Sequence, residues 1–161
     1  MFRCYKLAHA DPVTGLFQQK RAECIGGDLR VAGQAPDAGW HIGIVTSART
    51  HALDEVHETV ALHTGAIASS STAVRRWQRG STSVHHIVDP FSGQSATEVF
   101  TLVTVVAPTC VEANALSTAS LVWGEEALFE LPQRADAARL VRREGAVERV
   151  GAWPTTEEVS S

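Results

Sequence analysis

The sequence predicts an α+β fold in which antiparallel strands pack on one main helix. Short segments that alternate in polarity or are rich in β-branched residues recur between turn signals, which is typical of antiparallel strands. One segment, 109–124, carries the start and stop signals of a helix. The composition, 44% hydrophobic and 20% charged over 161 residues, allows one packed domain and argues against intrinsic disorder.

The first predicted strands are 28–33 and 40–45. In the earlier strand, Leu29 and Val31 alternate with polar neighbours. The sequence Pro36-Asp37-Ala38-Gly39, which separates the two strands, is a turn signal. We therefore expect these strands to pair with each other as a hairpin with a long loop.

Three more strands are predicted at 56–62, 75–80 and 83–88. The last two form a pair around a turn at Gly80. The sequence Asp89-Pro90-Phe91-Ser92-Gly93 is a strong turn signal. The segment 65–71 is small and polar, and we predict no element there.

A buried strand is predicted at 99–107, where β-branched residues are frequent. The main helix follows it. Thr109 and Glu112 are spaced as in a capping box, and Gly124 supplies a C-terminal stop signal.

The last predicted elements are a shorter helix at 125–131 and a hairpin that joins 139–142 to 146–150. Glu144-Gly145 is expected to form a two-residue turn in this hairpin. The final segment, 155–161, is expected to be a loose tail.

Charge and cysteine content exclude several classes of protein. Fourteen Lys and Arg against eighteen Asp and Glu give a net charge of −4, which argues against a polybasic nucleic-acid surface. No apolar run reaches the roughly 18 residues of a membrane span, and the N-terminus lacks an apolar secretion signal. Cys4, Cys24 and Cys110 are widely spaced and odd in number, which favours a reducing compartment. We expect a cytoplasmic protein with no nucleic-acid partner and no membrane span.

Two other clusters have structural explanations. Histidines recur every six residues at His51, His57 and His63. The region is predicted to be a strand and lacks the spacing of a zinc-binding helix, so we interpret them as strand histidines. Three arginines surround an aromatic residue at Arg75, Arg76, Trp77 and Arg79. They suit either a phosphate site or a solvated strand edge, and the edge is the more common case.

The segment from Val84 to Gly93 suits chemistry because it holds two adjacent histidines and an aspartate. Neighbours on a strand face opposite ways, so the side chains of His85 and His86 cannot both serve one site. One of them can bind a ligand or move a proton near neutral pH. The alternative is a strand that ends in a turn, with Asp89 hydrogen-bonded to the turn backbone.

A second candidate lies on the main helix. Asn114 and Thr118 are four residues apart and share one helix face. Their oxygen atoms can hold Mg²⁺, although an amide is a weaker ligand than a carboxylate. The alternative is a polar stripe on a surface helix. Gly26-Gly27-Asp28 is a weaker signal: glycines before a strand permit close approach of a ligand to the backbone.

Taken in order, these segments resemble the C-terminal half of the FAD:protein FMN transferase family, the ApbE-like flavin transferases. The matching motifs are 26–33 with Gly39-Trp40 and Ile42, 66–71 with Arg75-Arg76-Trp77, 85–90 with Gly93, 103–105, 107–110, 112–118, Glu144-Gly145 and Trp153-Pro154. The specific part of the match is His86-Ile87-Val88-Asp89-Pro90 followed by the helix motif 113–118.

The resemblance implies an activity. Such enzymes cleave FAD at its pyrophosphate, attach FMN to a threonine hydroxyl of a target flavoprotein, release AMP and use Mg²⁺. By matching, Thr118 is a Mg²⁺ ligand and Asn114 stands at the neighbouring ligand position. Ile87 contacts FAD, and His86 is the candidate catalytic residue, in the flavin site or in proton transfer.

Two further residues are assigned to the cofactor by the same resemblance. Ser70 lies in the segment Ser69-Ser70-Ser71, which corresponds to a Thr-Ser-Gly segment of the family. Asp28 lies in the glycine motif that opens the match. Both are expected to bind FAD.

The chain departs from the family pattern in two ways. Asn114 stands where the family has Asp, which weakens the expected Mg²⁺ site because hard cations prefer charged oxygens. Family members also have a long N-terminal half with an Asp-Leu segment leading to Lys-Gly, and 1–24 does not resemble it. We therefore expect a truncated member with an unassigned segment at 1–24, a flavin-transferase-like domain at 25–154 and the tail at 155–161.

Two functions follow from this comparison. One is a Mg²⁺-dependent FMN transferase that acts on FAD and on an acceptor flavoprotein bearing a threonine. The alternative is a non-enzymatic flavin-binding module, or an inactive fragment that needs a partner chain to supply the missing N-terminal half.

Overall fold

The computed structural model describes the backbone of residues 21–25, 28–45 and 56–153, and the side chains of 28–44 and 58–153. Ten strands lie within these ranges: β1 (Arg21–Ile25), β2 (Asp28–Ala32), β3 (Trp40–Val45), β4 (Val56–Leu62), β5 (Gly65–Ser71), β6 (Arg76–Arg79), β7 (Thr82–His85), β8 (Phe100–Ala107), β9 (Ala137–Arg142) and β10 (Val147–Gly151). The helices are α1 (Cys110–Trp123) and the short α2 (Ala127–Glu130).

Six of the strands form one sheet in the order β1-β2-β5-β8-β9-β10. Every neighbouring pair in it is antiparallel. A smaller sheet pairs β3 with β4, and β6 and β7 form a separate hairpin. The predicted α+β class, with antiparallel strands packed on a main helix, is confirmed.

The large sheet buries both of its faces. Because side chains alternate along a strand, Val103 and Val105 of β8 face α1, while Val106 faces the other way. The α1 side of the sheet packs on Ala113 and Leu121 of the helix. The opposite face packs on the small sheet through a second apolar cluster: Leu29, Val31, Ile42, Ile44, Val60, Leu62, Ile67, Val106, Ala137 and Trp153.

The main helix begins and ends where the sequence predicts. The Thr109 hydroxyl accepts a hydrogen bond from the Glu112 backbone N–H at 3.2 Å, which satisfies one of the unpaired donors of the first turn. The same hydroxyl donates to the Glu112 carboxylate at 2.8 Å. Gly124 closes the helix with φ of 60°, a conformation that favours glycine. The shorter predicted helix is present as α2 between two 3₁₀ turns, 124–126 and 131–133.

The predicted hairpin between 28–33 and 40–45 is wrong. Both segments are strands, but β2 lies between β1 and β5 in the large sheet, and β3 pairs with β4 in the small one. Leu29 and Val31 nevertheless face Ile42 and Ile44, because the two sheets pack against each other. The two strands thus share a core without sharing backbone hydrogen bonds.

Three smaller differences concern strand limits. The segment 65–71, to which no element is assigned from the sequence, is the central strand β5. The strand predicted to reach Val88 ends at His85, and the next residues form an irregular segment bridged at Val88 to Ser95. The last hairpin turns through the four residues 143–146 rather than two, closed by the Arg142 N–H on the Ala146 carbonyl at 2.8 Å.

No helix in the described ranges is long and apolar enough to cross a membrane. Most of the predicted unassigned segment 1–24 and all of the predicted tail 155–161 lie outside the described residues. The domain limits at 25 and 154 therefore stay predictions.

Candidate functional site

Three hydroxyl groups meet where β5 lies under α1. Strand alternation turns Ser70 toward the helix and its neighbour Ser69 toward the opposite face. Ser70 Oγ lies 2.8 Å from Thr118 Oγ1 and 2.9 Å from Ser117 Oγ. Ser117 Oγ in turn donates to the backbone carbonyl of Asn114 at 2.9 Å.

The direction of these hydrogen bonds follows from counting protons. A hydroxyl carries one proton. Ser117 uses its proton on the carbonyl, so Ser70 donates to Ser117 and Thr118 donates to Ser70. The chain of donors starts at Thr118, which leaves the lone pairs of Thr118 Oγ1 for another group. A cation or a donor of a ligand suits that position.

A carboxylate approaches α1 from the adjacent strand. Leu29 and Val31 of β2 face the small sheet, so Asp28 faces the helix. Asn114 Nδ2 donates to Asp28 Oδ2 at 3.0 Å. Burial raises the pKa of Asp28 above its ordinary value, and the hydrogen bond from Asn114 offsets only part of that rise.

We call these five side chains the β5–α1 site: Asp28, Ser70, Asn114, Ser117 and Thr118. Asn114 is exposed, Ser117 is buried and the other three are half-buried, so the site opens to solvent at its Asn114 end. Because Asn114 and Thr118 are one helical turn apart, the carboxylate and the hydroxyls lie along the same helix face. The structure thus brings together four residues predicted from the sequence, Asp28, Ser70, Asn114 and Thr118.

Ser117 is the member of the site that the sequence analysis does not single out. It lies inside the helix motif 113–118, beside Thr118 and three residues from Asn114. A serine at a fully buried helix position needs a hydrogen-bond partner. That requirement would have pointed to Ser117 once β5 was known to pack beneath α1.

The remaining predicted residues follow β7. Ile87 is buried, with 7% of its surface exposed. It belongs to the same apolar cluster as Ala68, two residues before Ser70, and Ala113, the residue before Asn114. His86 is exposed. No hydrogen bond joins the His86 side chain to the β5–α1 site among the described residues. The assignment of His86 and Ile87 to the flavin stays a prediction.

His85 and His86 face different environments, as strand alternation predicts. His85 is 4% exposed, and its Nε2 lies 3.1 Å from the Ala96 carbonyl. A carbonyl only accepts, so Nε2 carries the proton and the buried Nδ1 has no hydrogen-bond partner. The Ser95 hydroxyl accepts from the His85 N–H at 3.0 Å and donates to the His85 carbonyl at 2.8 Å. His85 therefore anchors the segment that presents His86.

Asp89 has the turn role that the sequence analysis offers as its alternative. Its carboxylate accepts from the Phe91 N–H at 2.9 Å and from the Ser92 hydroxyl at 2.7 Å. The Phe91 and Ser92 hydrogen bonds lower the pKa of Asp89. The Gly93 N–H closes the turn on the Asp89 carbonyl at 2.9 Å.

The β5–α1 site offers oxygen atoms to a cation: a carboxylate from Asp28, an amide from Asn114 and hydroxyls from Ser70 and Thr118. No three His, Cys, Asp or Glu side chains in the described part of the chain are grouped to hold a metal ion. Mg²⁺ takes oxygen ligands and is commonly held by one or two carboxylates together with substrate phosphates and water. The donor set therefore fits Mg²⁺ that binds together with a phosphate-bearing ligand.

The arginine cluster and the periodic histidines lie apart from the β5–α1 site in the sequence. Arg76 pairs with Glu98 at 2.7 Å, and Glu98 also accepts from the Thr72 hydroxyl. Arg75 and Arg79 are exposed on the β6–β7 hairpin, as on a solvated strand edge. Of the three periodic histidines, His63 is exposed, while His51 and the side chain of His57 lie outside the described residues.

Comparison with known proteins assigns the chain to a family. The family model described as the ApbE family matches residues 23–141, well over half of the chain. The chain belongs to the ApbE family. The resemblance stated from the motifs is thereby confirmed, and the match includes every residue of the β5–α1 site together with His86 and Ile87.

Solved ApbE structures share the fold. The ApbE protein from Thermotoga maritima is 27% identical with a TM-score of 0.67, and 81% of this chain aligns with 42% of that one. The flavinyl transferase ApbE from Pseudomonas stutzeri is 28% identical with a TM-score of 0.65, over 83% of this chain and 42% of that one. The flavin transferase ApbE from Vibrio cholerae is 25% identical with a TM-score of 0.57, over 81% and 42%.

This chain thus spans about 42% of the length of these ApbE structures. No protein with a curated description matches it in sequence.

Proposed function

We propose that this chain transfers FMN from FAD to a threonine hydroxyl of an acceptor flavoprotein, with release of AMP. Membership in the ApbE family supports the flavin chemistry. Two hydrogen bonds in the β5–α1 site support the assignment of this function to particular residues. Thr118 Oγ1 lies 2.8 Å from Ser70 Oγ, and Asn114 Nδ2 lies 3.0 Å from Asp28 Oδ2.

The reaction requires one bond to form and one to break. The acceptor threonine Oγ bonds to the phosphorus of the FMN half of FAD, the bond from that phosphorus to the AMP oxygen breaks, and the threonine loses its proton. A bound Mg²⁺ would neutralise the negative charge on the phosphate oxygens. The residues of the protein position these reacting groups relative to one another.

Each residue of this chain then has a separate role. Asn114 and Thr118 are proposed to hold Mg²⁺, with Asp28 and Ser70 beside them in the FAD site. Ser70 also fixes the direction in which the Thr118 hydroxyl points. His86, which is exposed, is proposed to accept the threonine proton. Ile87 is proposed to contact FAD from the end of the apolar cluster beneath α1.

The second candidate function is flavin binding without transfer. It is favoured because position 114 carries an amide and because the chain spans only 42% of the first ApbE structure. An uncharged ligand holds Mg²⁺ less strongly than a carboxylate does. With a weak cation site, the chain would bind flavin without transferring it, or would need a partner chain that completes the pocket.

The test is AMP release. The full chain is incubated with FAD, Mg²⁺ and a threonine-bearing acceptor; AMP is measured by chromatography and covalent flavin by in-gel fluorescence. Transfer is expected to require Mg²⁺ and to rise in Asn114→Asp. If neither the natural chain nor Asn114→Asp releases AMP, transfer by this chain is refuted. Tight FAD binding in that case identifies the flavin-binding module, and no binding identifies an inactive fragment.

A further inference from the structure

We propose that Asp28 supplies the negative charge of the cation site that position 114 does not carry. This inference rests on the proposed function, because it names the ligand set through which that function would hold Mg²⁺. The charged ligand of this chain would then lie on the first residue of strand β2, 86 positions before the uncharged Asn114 of helix α1.

The geometry that carries the inference is the contact between the two side chains. Asp28 Oδ2 lies 3.0 Å from Asn114 Nδ2, so the carboxylate already stands beside the position where a ligand on the helix would be. Oxygen atoms on neighbouring corners of a Mg²⁺ octahedron are about 3 Å apart, as bond lengths of about 2.0–2.1 Å require. A carboxylate offers about four acceptor positions, and Asn114 takes one of them.

The amide suits this arrangement better than a second carboxylate would in the absence of a cation. Two carboxylates about 3 Å apart repel each other unless a cation or a proton lies between them. Asn114 instead donates to Asp28 and holds it against α1. Rotation of the amide by about 180° exchanges its NH₂ group for its carbonyl oxygen, which is then available to the cation.

Thr118 completes the set from one helical turn away. Its proton points to Ser70 at 2.8 Å, since the protons of Ser70 and Ser117 are used further along the chain of hydroxyls. The lone pairs of Thr118 Oγ1 are thereby directed away from β5. Asp28, Asn114 and Thr118 then offer one charged and two neutral oxygens, which matches a cation held jointly with a substrate phosphate.

The experiment measures binding rather than turnover. Mn²⁺ serves as the probe, and free Mn²⁺ is followed by electron paramagnetic resonance in the presence of the full chain, with and without saturating FAD. Four proteins are compared: the natural chain, Asp28→Asn, Asn114→Asp and the double variant Asp28→Asn/Asn114→Asp. Asp37→Asn, at an exposed turn position, is the matched control.

The expected result is Mn²⁺ binding by the natural chain that tightens with FAD. Asp28→Asn should weaken it at least about tenfold, whereas Asp37→Asn leaves it unchanged. The double variant should recover part of the loss, because the charge returns to the helix position. Equal binding by the natural chain and Asp28→Asn overturns the inference, and so does an absence of Mn²⁺ binding by the natural chain.

The double variant also guards against a folding artefact. If Asp28→Asn loses its circular dichroism signal, the decision falls to the comparison of Asn114→Asp with the double variant, which should bind Mn²⁺ less tightly if Asp28 is a ligand. Equal binding by these two folded proteins would then overturn the inference. The proposed function fails separately: AMP release can be absent while Mn²⁺ binding still depends on Asp28.

Discussion

The two faces of the large sheet both carry polar groups, but they satisfy them differently. Toward the small sheet, Glu58 accepts from Arg139 at 3.0 Å, Arg149 at 3.1 Å and Trp153 at 2.7 Å. Toward α1, the β5–α1 site consists of neutral groups and the single carboxylate of Asp28. The first set is a charged network that extends from buried Arg139 through Glu58 to exposed Arg149. The second is a chain of hydroxyls in which the lone pairs of Thr118 Oγ1 are left for another group.

The difference separates a structural network from a binding site. The side chain of Arg139 is 3% exposed and that of Glu58 is 13% exposed, so each charge depends on the other. Burial alone would raise the pKa of Glu58, but the hydrogen bonds from Arg149 and Trp153 and the charges of both arginines lower it overall. Neutral hydroxyls at the other face cost less to desolvate than ionised groups do, so they need no charged partner.

The largest expected effect is on the charged face. Glu58→Gln removes the carboxylate that neutralises buried Arg139, and an uncompensated buried charge costs about 3–5 kcal/mol of unfolding free energy. Urea denaturation followed by circular dichroism measures it. Glu148→Gln, which removes a half-buried partner of Arg142 at 2.9 Å whose side chain is 41% exposed, is the matched control and should cost less than about 1 kcal/mol. Equal losses in the two variants would show that Glu58 is not a buried partner.

A second prediction concerns the α1 face. Ser70→Ala removes the acceptor of the Thr118 proton and should lower AMP release at least about tenfold, equivalent to about 1.4 kcal/mol. The free energy of unfolding should change by less than about 1 kcal/mol, because Ser70 and Thr118 are half-buried and buried Ser117 keeps its hydrogen bond to the Asn114 carbonyl. A loss of stability with full AMP release would reverse the roles assigned to the two faces.

Ser69→Ala is the counterpart of that variant on the neighbouring residue. Ser69 Oγ lies 2.6 Å from Thr104 Oγ1, which is buried on the opposite face of the sheet. Removing it leaves the Thr104 hydroxyl without this partner and should cost about 1 kcal/mol of unfolding free energy. FAD binding, measured by fluorescence quenching, should be unchanged. Weaker FAD binding in Ser69→Ala would mean that the two faces are coupled.

The smallest expected effect is a pH dependence of stability from Glu58. Its folded pKa lies below the ordinary value of 4.5, so its contribution to stability is complete above that pH and is lost as pH falls through the folded pKa. The urea midpoint of the natural chain should therefore drop as the solution is acidified below about pH 4.5. Glu58→Gln should show a shallower drop. Parallel pH profiles for the two proteins would contradict the assignment.

The best-predicted elements of this chain are those whose structure is decided by local sequence pattern. Strand 99–107 and the helix that follows Thr109 agree with β8 and α1 within one residue at each end. Both depend on neighbours in sequence: β-branched residues favour the extended chain, and a capping residue, a helical run and a glycine stop define a helix. The order of the motifs also predicts the ApbE family, which the family model confirms.

Prediction fails where pairing between distant segments decides structure. Strand β5 has a small, polar sequence without a strand pattern, yet it lies at the centre of the large sheet. Its small side chains suit that place because α1 packs directly on it, with Ala68 and Ala113 both fully buried. The expected hairpin of β2 with β3 fails because a turn between two strands does not fix whether they share one sheet or face each other from two.

By itself, the sequence determined the identity and spacing of the polar groups: Asn114 and Thr118 on one helix face, serines along 69–71 and Asp28 at the start of a strand. Only the tertiary structure decided that Ser70 rather than Ser69 meets the helix and that Asp28 meets Asn114. The reason is the two-residue period of a strand, since a shift of one position reverses which side chains face α1. That choice is made by sheets and helix packing together, not by any one segment.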